Sequence, residues 1–262
     1  MNVHLATALA VLALMLGTWL LSVALRNASI VDMVWGGGFA VIAVVTQITV
    51  ESNWRATLLT VLTVVWGMRL SAYLWWRNHG NGEDFRYVAM RKKAPNTFWF
   101  TSLITVFVLQ GVLMWVISLP IQVGAGWPSS RSFGVIEALG CILWGIGLFF
   151  ETVGDAQLAR FKADPTSSGR VLDSGLWRYT RHPNYFGDSC VWWGIFLVAA
   201  PSGRGLWTVV SPLIMTLLLT RVSGVPLLEA SLRKRRPGYE AYVARTSGFL
   251  PRPPRSQLGP DS

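Results

Sequence analysis

The chain has 262 residues, 52% of them hydrophobic and only 14% charged, with 14 tryptophans and a net charge of +10; its mean hydropathy is +0.42. Soluble domains carry about a quarter charged residues, so this composition excludes one and indicates an integral membrane protein. The expected fold is all-α, a single multi-pass membrane domain.

About 20 apolar residues cross a bilayer, and that template fits residues 3–25, 30–50, 54–76, 98–123, 132–154, 184–201 and 205–225. About seven transmembrane helices are therefore expected. The first has no basic flank before it, Arg26 coming after, and reads as a retained span rather than a signal peptide. In the second, Gly36, Gly37 and Gly38 form a run suited to close helix packing. Residues 1–154, spans one to five, are expected to hold a substrate cavity. Residues 155–250 are expected to supply cofactor-binding loops, spans six and seven and a cytoplasmic tail helix, and the proline-rich residues 251–262 to be disordered.

Charge in the loops gives an orientation. The loops after spans one, three and five, with the tail, hold 18 of the 23 Lys and Arg, whereas those after spans two, four and six hold Arg55, Arg131 and Arg204. The positive-inside rule then places the N-terminus outside and the C-terminus in the cytoplasm, as for a bacterial inner-membrane protein. Basic residues gathered on one membrane face fit anionic headgroups or a phosphorylated cofactor better than nucleic acid.

Several chemistries lack the residues they need. Cys141 and Cys190 lie in apolar spans and read as small buried hydrophobes, while His4, His79 and His182 are too scattered for a metal site. No G-x-G-x-x-G follows a strand and no G-K-[ST] occurs, which excludes soluble Rossmann and P-loop sites.

An ionisable residue inside a span is costly unless it is paired or lines a cavity, so it marks function. Asp32 falls in span two, Arg69 in span three, Glu137 and Glu151 in span five, Asp188 at the start of span six and Arg221 near the end of span seven. An Asp32–Arg69 ion pair between neighbouring helices is one account of the first two, and a buried cavity is the other. Glu137 is expected at the outer interface. Glu151 and Asp155, one turn apart, share a face at the cytoplasmic end of span five.

The most informative stretch is GLWRYTRHPNYFGD, Gly175 to Asp188, which leads into span six. Arg178 and Arg181 can fork onto phosphate or carboxylate oxygens. Asn184 and His182 can hydrogen-bond a planar ring or a ribose, Tyr179 adds a phenol, and Pro183 suits a first helical turn. A snorkelling basic collar accounts for the arginines but needs no Asn, Asp or paired Tyr. Asp155, Lys162, Arg170, Tyr179, Asn184 and Asp188 lie along one polar segment, interrupted by the turn-like DPTSSGR. After span seven come Glu229 and then Tyr239, Tyr242 and Arg245, spaced to share one face of a short helix. Glu229, Tyr239 and Tyr242 join the candidate cofactor contacts.

With SIVDMVWG (Ser29 to Gly36), MRLSAYLWWR and GEDFRY (between Met68 and Tyr87), GVPLLEASL and RPGYEAYVARTSGFLPRPP, these pieces resemble the steroid 5-alpha-reductase C-terminal domain family, in its bacterial DUF1295 branch. RHPNY-x-G alone is also similar to sterol reductases and to isoprenylcysteine and phospholipid methyltransferases. The resemblance implies a multi-pass helical fold and NADPH. It implies that Asp155 and Arg170 contact the cofactor, that Lys162 stands near its phosphates and that Asn184 meets the nicotinamide side. Asp188 stands where the family has Glu, Glu151 where the steroid enzymes have Asn, and Trp66 where they have a Tyr three residues before the Arg aligned with Arg69.

The reading that follows is a membrane oxidoreductase resembling NADPH-dependent reductases of carbon–carbon double bonds in lipid or steroid-like substrates. The nicotinamide is expected at the cytoplasmic ends of spans five to seven, and the substrate is expected to enter from the bilayer. With a tryptophan in place of the family's phenol, the proton must come from elsewhere. Asp32 is the first candidate, since burial favours the neutral form of a carboxyl, although pairing with Arg69 would push the other way; Tyr73 and Tyr87 follow. Two other readings stay open: an S-adenosylmethionine-dependent methyltransferase using the same helix cap, and a non-catalytic lipid-binding protein. Lys162, Arg170 and Asp188 suit a phosphate-bearing cofactor more than a sulfonium.

Overall fold

The computed structural model describes residues 2–126, 132–222 and 224–255. Among them every regular element is helical and none is a strand, in line with the all-α expectation. Helix α1 (Val3–Leu25) begins at Asn2, whose side chain accepts from the His4 amide at 2.9 Å. A tight turn leads to α2 (Ile30–Thr49). Asn53 caps α3 (Trp54–Asn78) and Asp84 caps α4 (Phe85–Lys93), each side chain taking up an amide that a first helical turn leaves unpaired. Helix α5 (Phe98–Ser102), a π-helical stretch Leu103–Val108 and α6 (Leu109–Ile117) follow one another without a break. The short α7 (Leu119–Ala125) comes next, and α8 (Val135–Ala163) is the longest helix. Then come α9 (Pro183–Ala199), α10 (Val210–Leu217), α11 (Val225–Arg235) and α12 (Tyr239–Arg245).

Among the described residues, five helical runs are long and apolar enough to cross a membrane: Val3–Leu25, Ile30–Thr49, Trp54–Asn78, Phe98–Ile117 and Val135–Ala163. The sixth expected span corresponds to α9, with 17 residues, and the seventh to the shorter apolar run Leu206–Val222. The fourth stops at Ile117, six residues short of the expected 123, because the chain leaves helical geometry at Ser118 and restarts with Pro120 in the first turn of α7, where a missing amide costs nothing. The fifth continues to Ala163, since hydropathy reports where a bilayer ends and not where a helix does. Arg131 and residues 256–262 of the expected disordered tail lie outside the described residues.

The chain divides into two compact units, Met1–Ala138 with Ile195–Ser211, and Leu139–Gly194 with Pro212–Ser262. In the first, α2 and α3 touch through glycine: a methyl group at Gly36 would lie 2.4 Å from the Gly67 carbonyl oxygen. Gly37 donates its amide to Ser71 Oγ at 2.7 Å, and Gly38 makes room for the Met114 sulfur. The glycine run thus serves close packing, as expected. Phe39, Ile42, Leu59, Trp66, Phe107 and Met114 fill the core, while Leu5, Leu9, Leu12, Leu16 and Leu20 form an exposed stripe along α1, the reverse of a soluble helix and the arrangement hydrocarbon favours.

The second unit uses the same device. Gly147 meets Gly187 and Gly140 meets Gly194 across antiparallel α8 and α9, with methyl groups at Gly187 and Gly194 placed 2.5 and 2.6 Å from the facing carbonyl oxygens. Ser189 Oγ and Trp193 Nε1 both reach Thr216 Oγ1 on α10, at 2.8 and 3.2 Å. In the first unit, Glu137 stands in the first turn of α8, and Arg55, read as a loop residue, is buried with it and donates Nη2 to Glu137 Oε1 at 2.8 Å.

Candidate functional site

In the first unit the four sequence-selected residues lie on α2, α3 and α4. Asp32, in the first turn of α2, accepts at Oδ1 from the Tyr87 hydroxyl at 2.7 Å and at Oδ2 from Arg86 Nη2 at 2.6 Å. GEDFRY builds this arrangement locally. Asp84 caps α4 by accepting the Arg86 amide, and the same oxygen accepts Arg86 Nε at 2.9 Å, so one guanidinium bridges the cap and Asp32. Glu83 anchors the loop by accepting both Arg91 Nε and Nη2, at 2.9 and 2.8 Å, and the Ala28 amide at 2.7 Å. Burial alone would raise the Glu83 and Asp84 carboxyls, but these donors outweigh it and hold both below their usual range.

Tyr87 is buried. Burial first, and then the adjacent Asp32, push its phenol well above the ordinary value, so the hydroxyl keeps its proton at neutral pH. Gln110 Nε2 approaches the same oxygen at 3.4 Å. Tyr73 lies beneath two guanidinium groups, Arg69 at 5.6 Å and Arg77 at 5.8 Å from the ring centre. Arg86, which sequence reasoning missed as the partner of Asp32, was signalled by its place two residues after a capping aspartate. Trp66 is fully buried and packs edge-on against Phe39 at 5.7 Å.

In the second unit the expected cofactor residues separate into a buried set and an exposed set. Buried Asp155, on α8, accepts from Asn184 Nδ2 at 3.3 Å, bringing together two residues 29 positions apart. Glu151 lies one turn earlier and is also buried, and Asp188 lies one turn beyond Asn184 on α9. Pro183 starts α9 against Gly154, whose carbonyl accepts Trp177 Nε1 at 3.1 Å. Lys162, Arg170, Arg178 and Tyr179 are exposed. The turn before Arg170 is fixed by Ser167, whose hydroxyl donates to the Asp164 and Phe161 carbonyls, and by Gly169 at φ 78°.

Arg181 and His182 are engaged by Glu229 from α11. Arg181 Nε donates to Glu229 Oε1 at 2.8 Å, and His182 Nε2 donates to the same oxygen at 3.0 Å. Arg181 Nη1 reaches the Val243 and Thr246 carbonyls at 3.3 and 2.6 Å, and His182 stacks on Tyr185 with ring centres 5.5 Å apart. Burial works against the Glu229 carboxylate, yet the His182 and Arg181 donors prevail and hold it at about 2. Tyr242 donates its hydroxyl to the Trp177 carbonyl at 2.5 Å, and burial, reinforced by Glu229, pushes the Tyr239 phenol to about 12.

Residues 251–255, expected to be disordered, are held in place. The Arg252 amide donates to the Tyr179 carbonyl at 3.0 Å, the Arg255 amide to the Arg245 carbonyl at 2.9 Å, and Thr180 Oγ1 to the Phe249 carbonyl at 2.8 Å. Pro251, Pro253 and Pro254 keep this strap extended, which is the signal that composition alone reads as disorder. Among the described residues no group of three or more His, Cys, Asp or Glu is arranged to hold a metal.

The family described as "Protein of unknown function (DUF1295)" matches residues 18–246. The uncharacterized protein C594.04c of Schizosaccharomyces pombe is 25% identical over 224 residues, 76% of this chain and 64% of that protein. The chain thus spans a little under two thirds of the relative's length. No solved structure matches.

Proposed function

This chain belongs to the DUF1295 family, and we propose that it is a membrane-embedded reductase that uses NADPH to saturate a carbon–carbon double bond in a lipid or steroid-like substrate. The observation that carries the reading is the Asp155–Asn184 contact set in a segment rimmed by exposed Lys162, Arg170 and Arg178. This donor set fits a dinucleotide. An amide and a carboxylate suit a carboxamide and ribose hydroxyls, and a cationic rim suits phosphates. A sulfonium cofactor, with a carboxylate and no phosphate, would use less of that rim. When bound, NADPH supplies a hydride.

The rest falls to the protein. Asn184, oriented by Asp155, positions the ring end, and Lys162 and Arg170 hold the phosphates. The buried Arg181–Glu229–His182 cluster fixes the start of α9 and with it the placement of Asn184. In the first unit, the Tyr87 hydroxyl takes the acid role that Trp66 cannot fill, because it carries a proton and rests on an oxygen of Asp32. Arg86 keeps that carboxylate in place. Orientation follows the loop charges, with the N-terminus outside and the Asp164 loop and tail in the cytoplasm.

The test is calorimetry with NADPH and S-adenosylmethionine on detergent-solubilised protein, followed by NADPH oxidation with extracted lipids. Saturable NADPH binding is expected. S-Adenosylmethionine binding without NADPH binding overturns the reading in favour of a methyltransferase, and labelling of the Asp164 loop from outside overturns the orientation.

A further inference from the structure

In the second unit, the strap after α12 closes a cavity of about 300 Å³ whose walls include Arg181, Arg245, Ser247, Gly248, Arg252 and Arg255. None of the lining residues is acidic. Gly248 opens the floor to a guanidinium: a methyl group there would lie 3.2 Å from Arg181 Nη2. Two of the four arginines have their charge met, Arg181 by Glu229 at 2.8 Å and Arg245 by Asp173. Among the described residues, Arg252 and Arg255 have no carboxylate partner, although backbone hydrogen bonds to Tyr179 and Arg245 fix where each stands. Among the described residues the cavity therefore carries two arginine charges without a carboxylate partner, on exposed side chains whose backbone is held in place. A phosphate monoester carries about −1.5 to −2 at neutral pH, and guanidinium forks match its oxygens. The volume is at the lower end for small-molecule sites, about 300 Å³ and upward, which accommodates a phosphate together with the sugar or glycerol that bears it.

We propose that this cavity is a phosphate-monoester site, with Arg252 and Arg255 as the ligand-binding arginines and Ser247 as a neutral donor. The phosphate comes either from a nucleotide bearing a ribose phosphate or from a phosphatidic-acid-type headgroup, and only the nucleotide source rests on the reductase reading.

The experiment uses the full chain in phosphatidylcholine nanodiscs at low salt, where screening is least. Inorganic phosphate is titrated calorimetrically into the wild type and into Arg252→Ala/Arg255→Ala. Saturable binding is expected, weakened at least roughly tenfold in the double variant, with an unchanged thermal midpoint. Should the alanine pair unfold, Arg252→Gln/Arg255→Gln carries the same test. Absence of phosphate binding by the wild type, or equal binding by the folded variant, overturns the proposal whatever the protein does with NADPH. The source is read on the same variants. A loss confined to NADPH, with NADH binding retained, assigns the ribose phosphate; a loss of phosphatidic acid capture, with both nucleotides unaffected, assigns the headgroup.

Discussion

Asp32 in the first unit and Glu229 in the second are carboxylates of the same kind in different company. Asp32 divides its oxygens between a guanidinium and a phenol, so a protonated phenol oxygen stands 2.7 Å away. Glu229 gathers Arg181 and His182 on one oxygen and joins the start of α9 to α11, while Arg181 reaches on to carbonyls at the C-terminal end of α12. One arrangement holds a proton; the other holds the chain. The presence of a buried arginine–carboxylate pair thus says little about chemistry until the second partner is known.

The largest effect should come from removing the phenol. Tyr87→Phe deletes one oxygen and leaves the Asp32–Arg86 pair, so turnover should fall by roughly 10²–10⁴-fold, the usual worth of a general acid. NADPH affinity should stay put and stability should drop by no more than about 1–3 kcal/mol for the lost hydrogen bond. Asp32→Asn is the companion variant, retaining an acceptor without the charge. Folded Tyr87→Phe protein that oxidises NADPH at the wild-type rate with lipid would remove the phenol from the mechanism and leave Asp32 and Tyr73 to be tested.

The second unit should respond in stability instead. Arg181→Ala takes one of two donors from Glu229 and leaves His182 on the same oxygen, so the loss should approach but not exceed the roughly 3–5 kcal/mol of a fully broken buried pair; hydrogen exchange at the Arg252 amide should also accelerate as the strap loosens. The pH dependence has a definite sign. Glu229 sits at about 2 against an ordinary 4.5, so its stabilisation is complete above about pH 4.5 and is lost as pH falls toward 2. The gap in melting temperature between wild type and Glu229→Gln should therefore be widest above pH 4.5 and close near pH 2. A gap that stays constant across that range would show that Glu229 is not held by charge.

Next in size are the rim residues. Lys162→Ala and Arg170→Ala should each weaken nucleotide binding by about 1.5–3 kcal/mol per charged hydrogen bond and reduce its salt dependence, with the fold intact because both side chains are exposed. Unchanged affinity in both variants would move the phosphates away from this rim.

How much of this was legible in the sequence follows from the range of each interaction. The first three spans agree with their helices at nearly every end, because apolar length is a local property and Asn2 and Asn53 are local caps. The glycine run in α2 was also legible, since close packing needs only a missing side chain. Partners across the chain were not: a pair with Arg69 was one of two accounts of Asp32, whereas its oxygens are met by Arg86 and Tyr87, 54 and 55 residues away. Asp155 and Asn184 were grouped along one polar segment and given to the cofactor through the resemblance, but a contact between the two was not foreseen. Prolines at 251, 253 and 254 read as disorder because composition reports stiffness without saying what a stiff segment lies against.

Arg233, at the edge of the same cluster, should matter least. Its Nη2 lies 3.8 Å from Glu229, beyond hydrogen-bonding range, while its Nη1 donates to Glu240 at 2.6 and 2.8 Å, with side chains 43% and 67% exposed. By distance alone the Arg233–Glu240 pair equals the Arg181–Glu229 pair. Exposure separates them: water and salt screen the first, and holding two long side chains in one geometry offsets most of the attraction. Arg233→Ala should therefore cost about 0.2–1 kcal/mol, and even that should vanish at about 1 M salt, where the screening length falls to roughly 3 Å. Arg181→Ala should keep its cost under the same conditions. A large, salt-resistant loss on Arg233→Ala would mean that the cluster extends outward through Glu229 to α12, and that the boundary drawn here between a buried clamp and a solvated surface pair is misplaced.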